Sequence, residues 1–196
     1  MTRLTIYGDF NCPFSALASV RADVLRAGGA YEIDWRAVQH DVNVPPAGEP
    51  VAGEARDMLA REITDITALT TGDEPFELRV PTVRPNTAAA SAAFAASGQD
   101  SGLRQRLYAA LWSEGRDIGD EDELDLLGAS PRDHDTAAAW QQEFDALPQP
   151  VTPSLILPDG YVSRGLGALA RLGALARLAE LATSTGTATK GVTDER

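Results

Sequence analysis

A strand, a helix and a second strand follow one another within the first 38 residues, and this unit constrains the fold more than any other feature of the chain. Alternating β-forming residues predict strands over Arg3 to Tyr7 and over Tyr31 to Val38. Between them, apolar residues at helical spacing predict a helix from Pro13 to about Ala27. Two strands joined by one helix lie parallel, with a right-handed crossover. The sequence therefore predicts an α/β protein.

The middle of the chain carries a different pattern, in which helical signals replace strand signals. A proline-rich loop runs from Asp41 to Glu54, and Asn86 is a predicted helix N-cap. The helices predicted in this part of the chain are Glu54 to Leu69, Thr87 to Ser97, Gly102 to Glu114, Glu121 to Leu127 and Arg132 to Leu147.

Strand signals return near the C-terminus. Ser154 to Leu157 and Tyr161 to Ser163 flank a turn and form a predicted hairpin, and a last helix follows from about Leu166 to Ala182. A four- or five-stranded mixed sheet with helices on its faces accommodates this order. We predict a discontinuous core formed by residues 1–40 and 148–182, a helical insertion at 41–147, and a polar, disordered tail at 183–196.

Charge and cysteine content exclude several classes of function. A formal net charge of −12 leaves no basic stripe to neutralise nucleic-acid phosphates. No apolar run approaches the roughly 20 residues of a membrane span, and no signal-peptide core precedes the first strand. We therefore expect a cytosolic protein without nucleic-acid or membrane partners. The single cysteine excludes an internal disulfide and a cysteine metal cluster, and the two histidines lack ligand spacing, so no metal site is expected.

The main chemical feature is a cysteine at a helix start. The run Cys12-Pro13-Phe14-Ser15 opens the first predicted helix, and proline suits the first helical position. Cys12 then lies at or beside the N-cap, where unpaired N–H groups and the helix dipole favour a thiolate and lower its pKa below the usual value of about 8.5. Ser15 lies one turn on, where its hydroxyl can donate to the sulfur, and Phe14 is placed to form an apolar lip. The alternative is a cysteine that merely caps the helix, a role for which Ser, Thr, Asp and Asn are preferred.

This arrangement resembles the Cys-x-x-Cys site of thioredoxin-fold oxidoreductases. Within that fold it is similar to the DsbA-like group that contains FrnE-type proteins and the hydroxychromene-carboxylate isomerases. The segment Val151-Thr152-Pro153-Ser154 resembles the cis-proline loop that faces the active cysteine, and the helical block resembles the insertion of the DsbA-like group. Pro85-Asn86-Thr87 before an alanine-rich helix resembles an Asn-bearing helix start of the same group. The resemblance spans about residues 3 to 182.

The resemblance implies a role for each matching position. Cys12 would be the nucleophile or the thiol-binding residue, and Ser15 stands where the resolving cysteine of the family stands. The implied substrate-binding residues are Pro13, Phe14, Asn86, Thr152 and Pro153. Because Ser15 is not a thiol, one chain cannot complete dithiol exchange by itself. The implied activity is thiol–disulfide oxidoreduction with glutathione or another low-molecular-weight thiol as external co-substrate and no covalently bound cofactor.

Two other functions stay open at this point. One is an isomerase of the hydroxychromene-carboxylate kind, which would use a glutathione-type thiol on an aromatic carboxylate. Arg36, Arg79 and Arg84 are the candidates to supply basic residues in its pocket. The other is a thioredoxin-fold binding protein without catalysis, in which Cys12 has no chemical role.

One histidine is a further candidate site residue. His40 follows the second strand, whose end is expected near Cys12, so it is a candidate to tune the thiol or orient a substrate. The alternative is a solvated loop histidine.

Leucine recurs at every third position from Leu166 to Leu181. Leucines at this spacing drift around a helix, which predicts that the helix is buried on two sides. One side would cover the sheet and the other would meet a second subunit in a homodimer.

Overall fold

The computed structural model describes residues 1–71 and 74–188. The helices and strands predicted from the sequence are present there, with ends within about two residues of the predicted ones except at the end of the last helix. In chain order the elements are β1 (Thr2–Gly8), α1 (Pro13–Ala27), β2 (Tyr31–Ala37), β3 (Glu49–Pro50), α2 (Gly53–Thr67), β4 (Val83–Arg84), α3 (Ala88–Ala96), α4 (Ser101–Trp112), α5 (Glu121–Leu126), α6 (His134–Asp145), β5 (Ser154–Ile156), β6 (Val162–Arg164) and α7 (Gly165–Ala188).

Four strands form the central sheet, in the order β2-β1-β5-β6. β1 and β2 are parallel and pair from Thr2 with Tyr31 to Gly8 with Ala37, as the strand–helix–strand unit predicts. β5 is antiparallel to β1, and β6 is antiparallel to β5. The predicted mixed sheet is therefore confirmed. The division of the chain into a core and a helical insertion at residues 41–147 stays a prediction.

The hydrophobic core joins this sheet to helices from both ends of the chain. Leu4 and Ile6 of β1, Leu17 of α1 and Leu172 of α7 are buried in one cluster. α1 packs along α7, while α3 and α6 contact each other and β2. Because β1 and α1 are both anchored in this core, the short loop between them is held at a fixed place.

Close packing at the end of β1 requires glycine at position 8. A Cβ atom on Gly8 would lie 2.3 Å from Cζ2 of Trp35, whose side chain is fully buried. Any larger residue would displace the indole from a close-packed core. The fit of Gly8 against Trp35 thus fixes the strand end from which the cysteine loop departs.

Two features of the fold differ from the sequence-based expectation. β3 and β4 form a small antiparallel sheet that periodicity did not predict, because each strand has only two residues. α7 continues to Ala188, so residues 183–188 are helical and the prediction of a disordered tail is wrong for them. The rest of that predicted tail, residues 189–196, lies outside the described residues.

The leucine repeat of α7 is divided between buried and exposed positions. Leu169 and Leu172 are buried, whereas Leu166, Leu178 and Leu181 are 61–62% exposed. The repeat drifts around the helix, as a three-residue spacing requires. The homodimer expected from it stays a prediction. Within the described residues, no helix combines the length and the hydropathy that a membrane span needs.

Candidate active site

Cys12 is the N-cap residue of α1, with extended backbone angles and Pro13 in the first turn. Its side chain lies beside the loop before β5, where the sulfur is 3.6 Å from the carbonyl oxygen of Thr152. The peptide bond between Thr152 and Pro153 is cis, as predicted. The fold therefore brings together two segments that are 140 residues apart in the sequence.

The loop that carries Cys12 is held from behind by α4. The carbonyl oxygen of Asp9 accepts hydrogen bonds from the Cys12 backbone N–H at 3.1 Å and from the Tyr108 hydroxyl at 3.2 Å. The indole N–H of Trp112 donates to the carbonyl oxygen of Phe10 at 2.8 Å. Tyr108 and Trp112 are both buried, so these bonds are shielded from water and fix the loop.

A buried acid lies under the cysteine. Asp9 is 3% exposed, and its two carboxylate oxygens accept backbone N–H groups of Asn11 and His40, each at 2.9 Å. The Thr87 hydroxyl lies 3.5 Å from the first of these oxygens. Burial raises the pKa of Asp9, and the two backbone hydrogen bonds oppose this increase. The sequence analysis did not identify Asp9, although its position three residues before Cys12 was an available signal.

Ser15 lies one turn into α1 and is fully buried. Its hydroxyl oxygen accepts the backbone N–H of Asp9 at 3.3 Å. Hydrogen bonding by the hydroxyl and the backbone N–H of Ser15 lowers the pKa of Cys12, which favours the thiolate. Ser15 therefore holds the buried loop from its place one turn into α1, and its catalytic role stays a prediction.

The expected pKa of the thiol needs a correction. The sequence analysis predicted a pKa below the usual value, but burial raises the pKa of Cys12. Hydrogen bonds from Ser15 and from the Thr152 side chain lower this pKa without outweighing the burial, and the negative charge of Asp9 raises it further. The prediction considered only the helix terminus, because the depth at which the sulfur packs depends on tertiary structure.

A cavity of about 620 Å³ opens beside Cys12. α2 contributes a wall that is mainly apolar, with Ala55, Met58 and Leu59. Charged side chains face the same space, and they are Asp9, Glu49, Glu62 and Arg84. The site therefore combines a thiol, an apolar wall and several ionisable groups in one volume that suits a small molecule.

A larger cavity of about 890 Å³ lies between α1, α4 and residues 75–78. Its wall includes Val20, Val24, Phe76 and Leu78 and does not include Cys12. We assign the candidate active site to the smaller cavity, because the chain's only cysteine and the cis-proline loop meet there.

The structure separates the predicted site residues into two groups. Those that line the cavity are Cys12, Pro13, Phe14, His40 and Thr152. Ser15 and Pro153 are buried behind this surface. The His40 side chain is exposed, and its backbone N–H, rather than its ring, bonds to the buried Asp9. The catalytic and binding roles of all these residues stay predictions.

Asn86 is placed differently from the expectation. Thr87, not Asn86, is the N-cap residue of α3, although the Asn86 side chain accepts the backbone N–H of Ala88 at 3.0 Å. Its amide nitrogen donates to the carbonyl oxygen of Val44 at 2.6 Å. Asn86 is not among the lining residues of the cavity. These contacts hold a loop and a helix start in place.

The three arginines expected in an isomerase pocket do not converge. Arg84 lines the cavity, where its guanidinium pairs with Asp41 at 3.0 Å and with Glu49 at 3.4 Å. Arg36 forms its ion pairs with acidic side chains of β2 and α6, and the Arg79 side chain is 73% exposed. Neither Arg36 nor Arg79 lines the cavity, so that expectation is wrong for both.

A family model and several solved structures match this chain. The family model of the DSBA-like thioredoxin domain matches residues 3–130 of the chain, which includes the Cys12 loop. No sequence among the curated proteins matches the chain significantly.

Solved structures share the fold over most of both chains. A probable DsbA oxidoreductase from Streptomyces coelicolor is 16% identical, with a TM-score of 0.71 over 100% of this chain and 93% of that one. The cytosolic disulfide reductase DsbM from Pseudomonas aeruginosa with GSH is 18% identical, with a TM-score of 0.64, and the match covers 93% of this chain and 99% of that one. A 2-hydroxychromene-2-carboxylate isomerase is 19% identical, with a TM-score of 0.55 over 96% of each chain. At these identities the likeness shows the fold alone.

Proposed function

This chain belongs to the DsbA-like thioredoxin domain family, and within that family we propose that it is a thiol–disulfide oxidoreductase with a monothiol site at Cys12. The observation that carries the proposal is the position of the only thiol, 3.6 Å from the Thr152 carbonyl at the mouth of a small-molecule cavity. The residue that would release a mixed disulfide from within is a serine, Ser15. An external thiol must therefore complete the reaction.

The reaction has two exchange steps. The Cys12 thiolate attacks one sulfur of a substrate disulfide, a Cys12–substrate disulfide bond forms, and the other half leaves as a thiolate that takes up a proton. A low-molecular-weight thiol then attacks this mixed disulfide as its thiolate. The second substrate thiol leaves, the co-substrate becomes disulfide-bonded to Cys12, and a second co-substrate molecule releases Cys12. The net change is reduction of one disulfide and oxidation of two thiols.

The protein environment supplies positioning and hydrogen bonds for these steps. Hydrogen bonding by Ser15 lowers the pKa of Cys12 and favours the thiolate that attacks. The buried bonds from Tyr108 and Trp112 hold the loop so that the sulfur does not move away from Thr152. A cytosolic location, which the sequence predicts, would provide the low-molecular-weight thiol.

The isomerase is the less favoured of the two enzymatic functions. Its predicted substrate carries a carboxylate, and the one arginine at the cavity already pairs with two acidic side chains. The third function, a binding protein without catalysis, would leave Cys12 without a chemical role. Product analysis with a hydroxychromene carboxylate and a thiol separates the isomerase from the oxidoreductase.

The proposal is tested by steady-state reduction of 2-hydroxyethyl disulfide with an external thiol as reductant. We expect turnover by the wild-type protein and none by Cys12→Ser, whereas Ser113→Ala, which removes an exposed hydroxyl that does not line the cavity, retains the wild-type rate. Equal rates for the wild-type protein and Cys12→Ser would refute the proposal and favour the non-catalytic function.

A further inference from the structure

The side chains that line the cavity carry more negative than positive charge. Three acidic side chains, Asp9, Glu49 and Glu62, face the space, against one arginine, Arg84. A fourth acid, Asp41, pairs with Arg84 at 3.0 Å. Three carboxylates therefore oppose one guanidinium even where Asp9 is protonated.

Two carboxylates offset the positive charge of the arginine. One terminal nitrogen of Arg84 is 3.0 Å from the carboxylate of Asp41 and 3.4 Å from that of Glu49. An anionic ligand that approached the guanidinium would therefore lie close to two negative charges. The guanidinium is thus neutralised before any ligand arrives.

Glu62 contributes a further negative charge to the cavity. It lies half-buried on α2, on the same face as Met58 and Leu59. Within the described part of the chain, no ion pair of Glu62 is found. A half-buried carboxylate next to an apolar wall favours a ligand with an aliphatic chain and a positive end.

We propose that this cavity selects a positively charged low-molecular-weight thiol and its disulfide, and discriminates against anionic ones such as glutathione, with Glu49 and Glu62 as the residues that determine this specificity. The inference rests on the proposed exchange reaction at Cys12 and names its substrate class. The net charge of −12 acts in the same direction, since it repels anions before they reach the site. An ammonium group would lie near the two glutamates while the aliphatic chain contacts Met58 and Leu59.

The chemistry of the step is unchanged by this choice. The Cys12 thiolate attacks one sulfur of the aminothiol disulfide, the sulfur–sulfur bond breaks, and one aminothiol leaves and is protonated. The other aminothiol stays bonded to Cys12, with its ammonium group beside Glu49 and Glu62, until a second thiol releases it.

The experiment compares three disulfides of different charge. Rate constants for mixed-disulfide formation at Cys12 are measured by intact-protein mass spectrometry with cystamine, 2-hydroxyethyl disulfide and glutathione disulfide, which are cationic, neutral and anionic. The test variant is the double substitution Glu49→Gln and Glu62→Gln. The matched control, Glu32→Gln with Glu121→Gln, removes the same charge from exposed positions that do not line the cavity.

The inference predicts a change in a ratio. In the test variant the cystamine rate divided by the glutathione disulfide rate falls by about tenfold, because two carboxylates near the ligand are lost. In the control variant this ratio changes by less than about twofold, since distant surface charges are screened by salt. The ratio cancels any change in the reactivity of the Cys12 thiol, and its comparison between variant and wild-type protein cancels the intrinsic reactivities of the disulfides.

The outcomes separate the two proposals. If the neutral disulfide reacts at Cys12 but the ratio is the same in the wild-type protein and the test variant, the charge selection is overturned and the oxidoreductase stands. An equal fall in the control variant also overturns it, because the effect is then one of net charge. If none of the three disulfides reacts, both the selection and the proposed function fail.

Discussion

Replacement of Ser15 by alanine tests how the buried serine supports the thiol. The hydroxyl of Ser15 accepts the Asp9 backbone N–H at 3.3 Å, and hydrogen bonding by this side chain lowers the pKa of Cys12. Loss of the first bond leaves a buried N–H without its acceptor, which costs about 1–3 kcal/mol of unfolding free energy. Loss of the second removes a hydrogen bond to a charged sulfur, worth about 1.5–3 kcal/mol. The thiolate population at pH 7 should then fall by about tenfold or more.

Two assays measure these effects separately. The unfolding free energy comes from denaturant titration, and thiolate reactivity comes from the rate of iodoacetamide alkylation between pH 6 and pH 11. At pH 7 we expect Ser15→Ala to react about tenfold more slowly than the wild-type protein or more. At pH values above the thiol titration of both proteins the rates should converge, because both are then fully ionised.

The pH dependence distinguishes the proposed role from simple loss of structure. A distorted site would lower the alkylation rate at every pH, whereas a weaker hydrogen bond lowers it only where the thiol titrates. Ser113→Ala serves as the control, since its hydroxyl is exposed and bonds to the carbonyl of Glu77 at 3.2 Å. Equal thiol titrations for Ser15→Ala and the wild-type protein would refute the assigned hydrogen bond.

Two further substitutions test the surroundings of the thiol. Asp9→Asn removes a negative charge that raises the pKa of Cys12, so this pKa should fall and alkylation at pH 7 should become faster. An unchanged pH–rate profile of alkylation would mean that Asp9 carries no charge in the folded protein. Trp112→Phe leaves the carbonyl of Phe10 without its 2.8 Å donor, so denaturant titration should show a loss of about 1–3 kcal/mol. A loss below about 0.5 kcal/mol would contradict the importance of this bond for the loop.

The pH dependence of stability follows from the same acid. Because burial raises the folded-state pKa of Asp9 above its unfolded value, its contribution to stability is fully present below the unfolded pKa, near about 4, and is lost as the pH rises through the folded pKa. The neutral carboxylic acid is the form that the buried loop favours. The Asp9→Asn variant should therefore show a weaker decrease of stability with pH across that window.

The sequence predicted the elements that local pattern controls. Alternation and helical spacing placed β1, α1 and β2, and the proline after Cys12 located the start of α1. The segment around Thr152 and Pro153 was placed opposite Cys12 only through resemblance, since nothing in local pattern joins positions 140 residues apart. The close contact of sulfur and carbonyl is a property of the folded sheet.

The features that the sequence did not predict all depend on tertiary burial. The pKa of Cys12 was expected to fall because only the helix terminus was visible, and the packing that raises it involves distant residues. Asp9 was overlooked, as an acid in a loop is usually solvated and its burial comes from α4 and the residues before α3. Arg36 was expected in the pocket, but the pleat of β2 directs it to Asp34 and away from the cavity.

The most direct test of the central claim is the fate of the mixed disulfide at Cys12 after the first exchange step, with no free thiol present. Wild-type protein is treated with 2-hydroxyethyl disulfide, freed of excess reagent and followed by intact-protein mass spectrometry. We predict one adduct per chain, located at Cys12, that persists until an external thiol is added and is then released within the time of one catalytic cycle. An adduct that disappears without added thiol, or no adduct at all, would contradict a monothiol mechanism at Cys12.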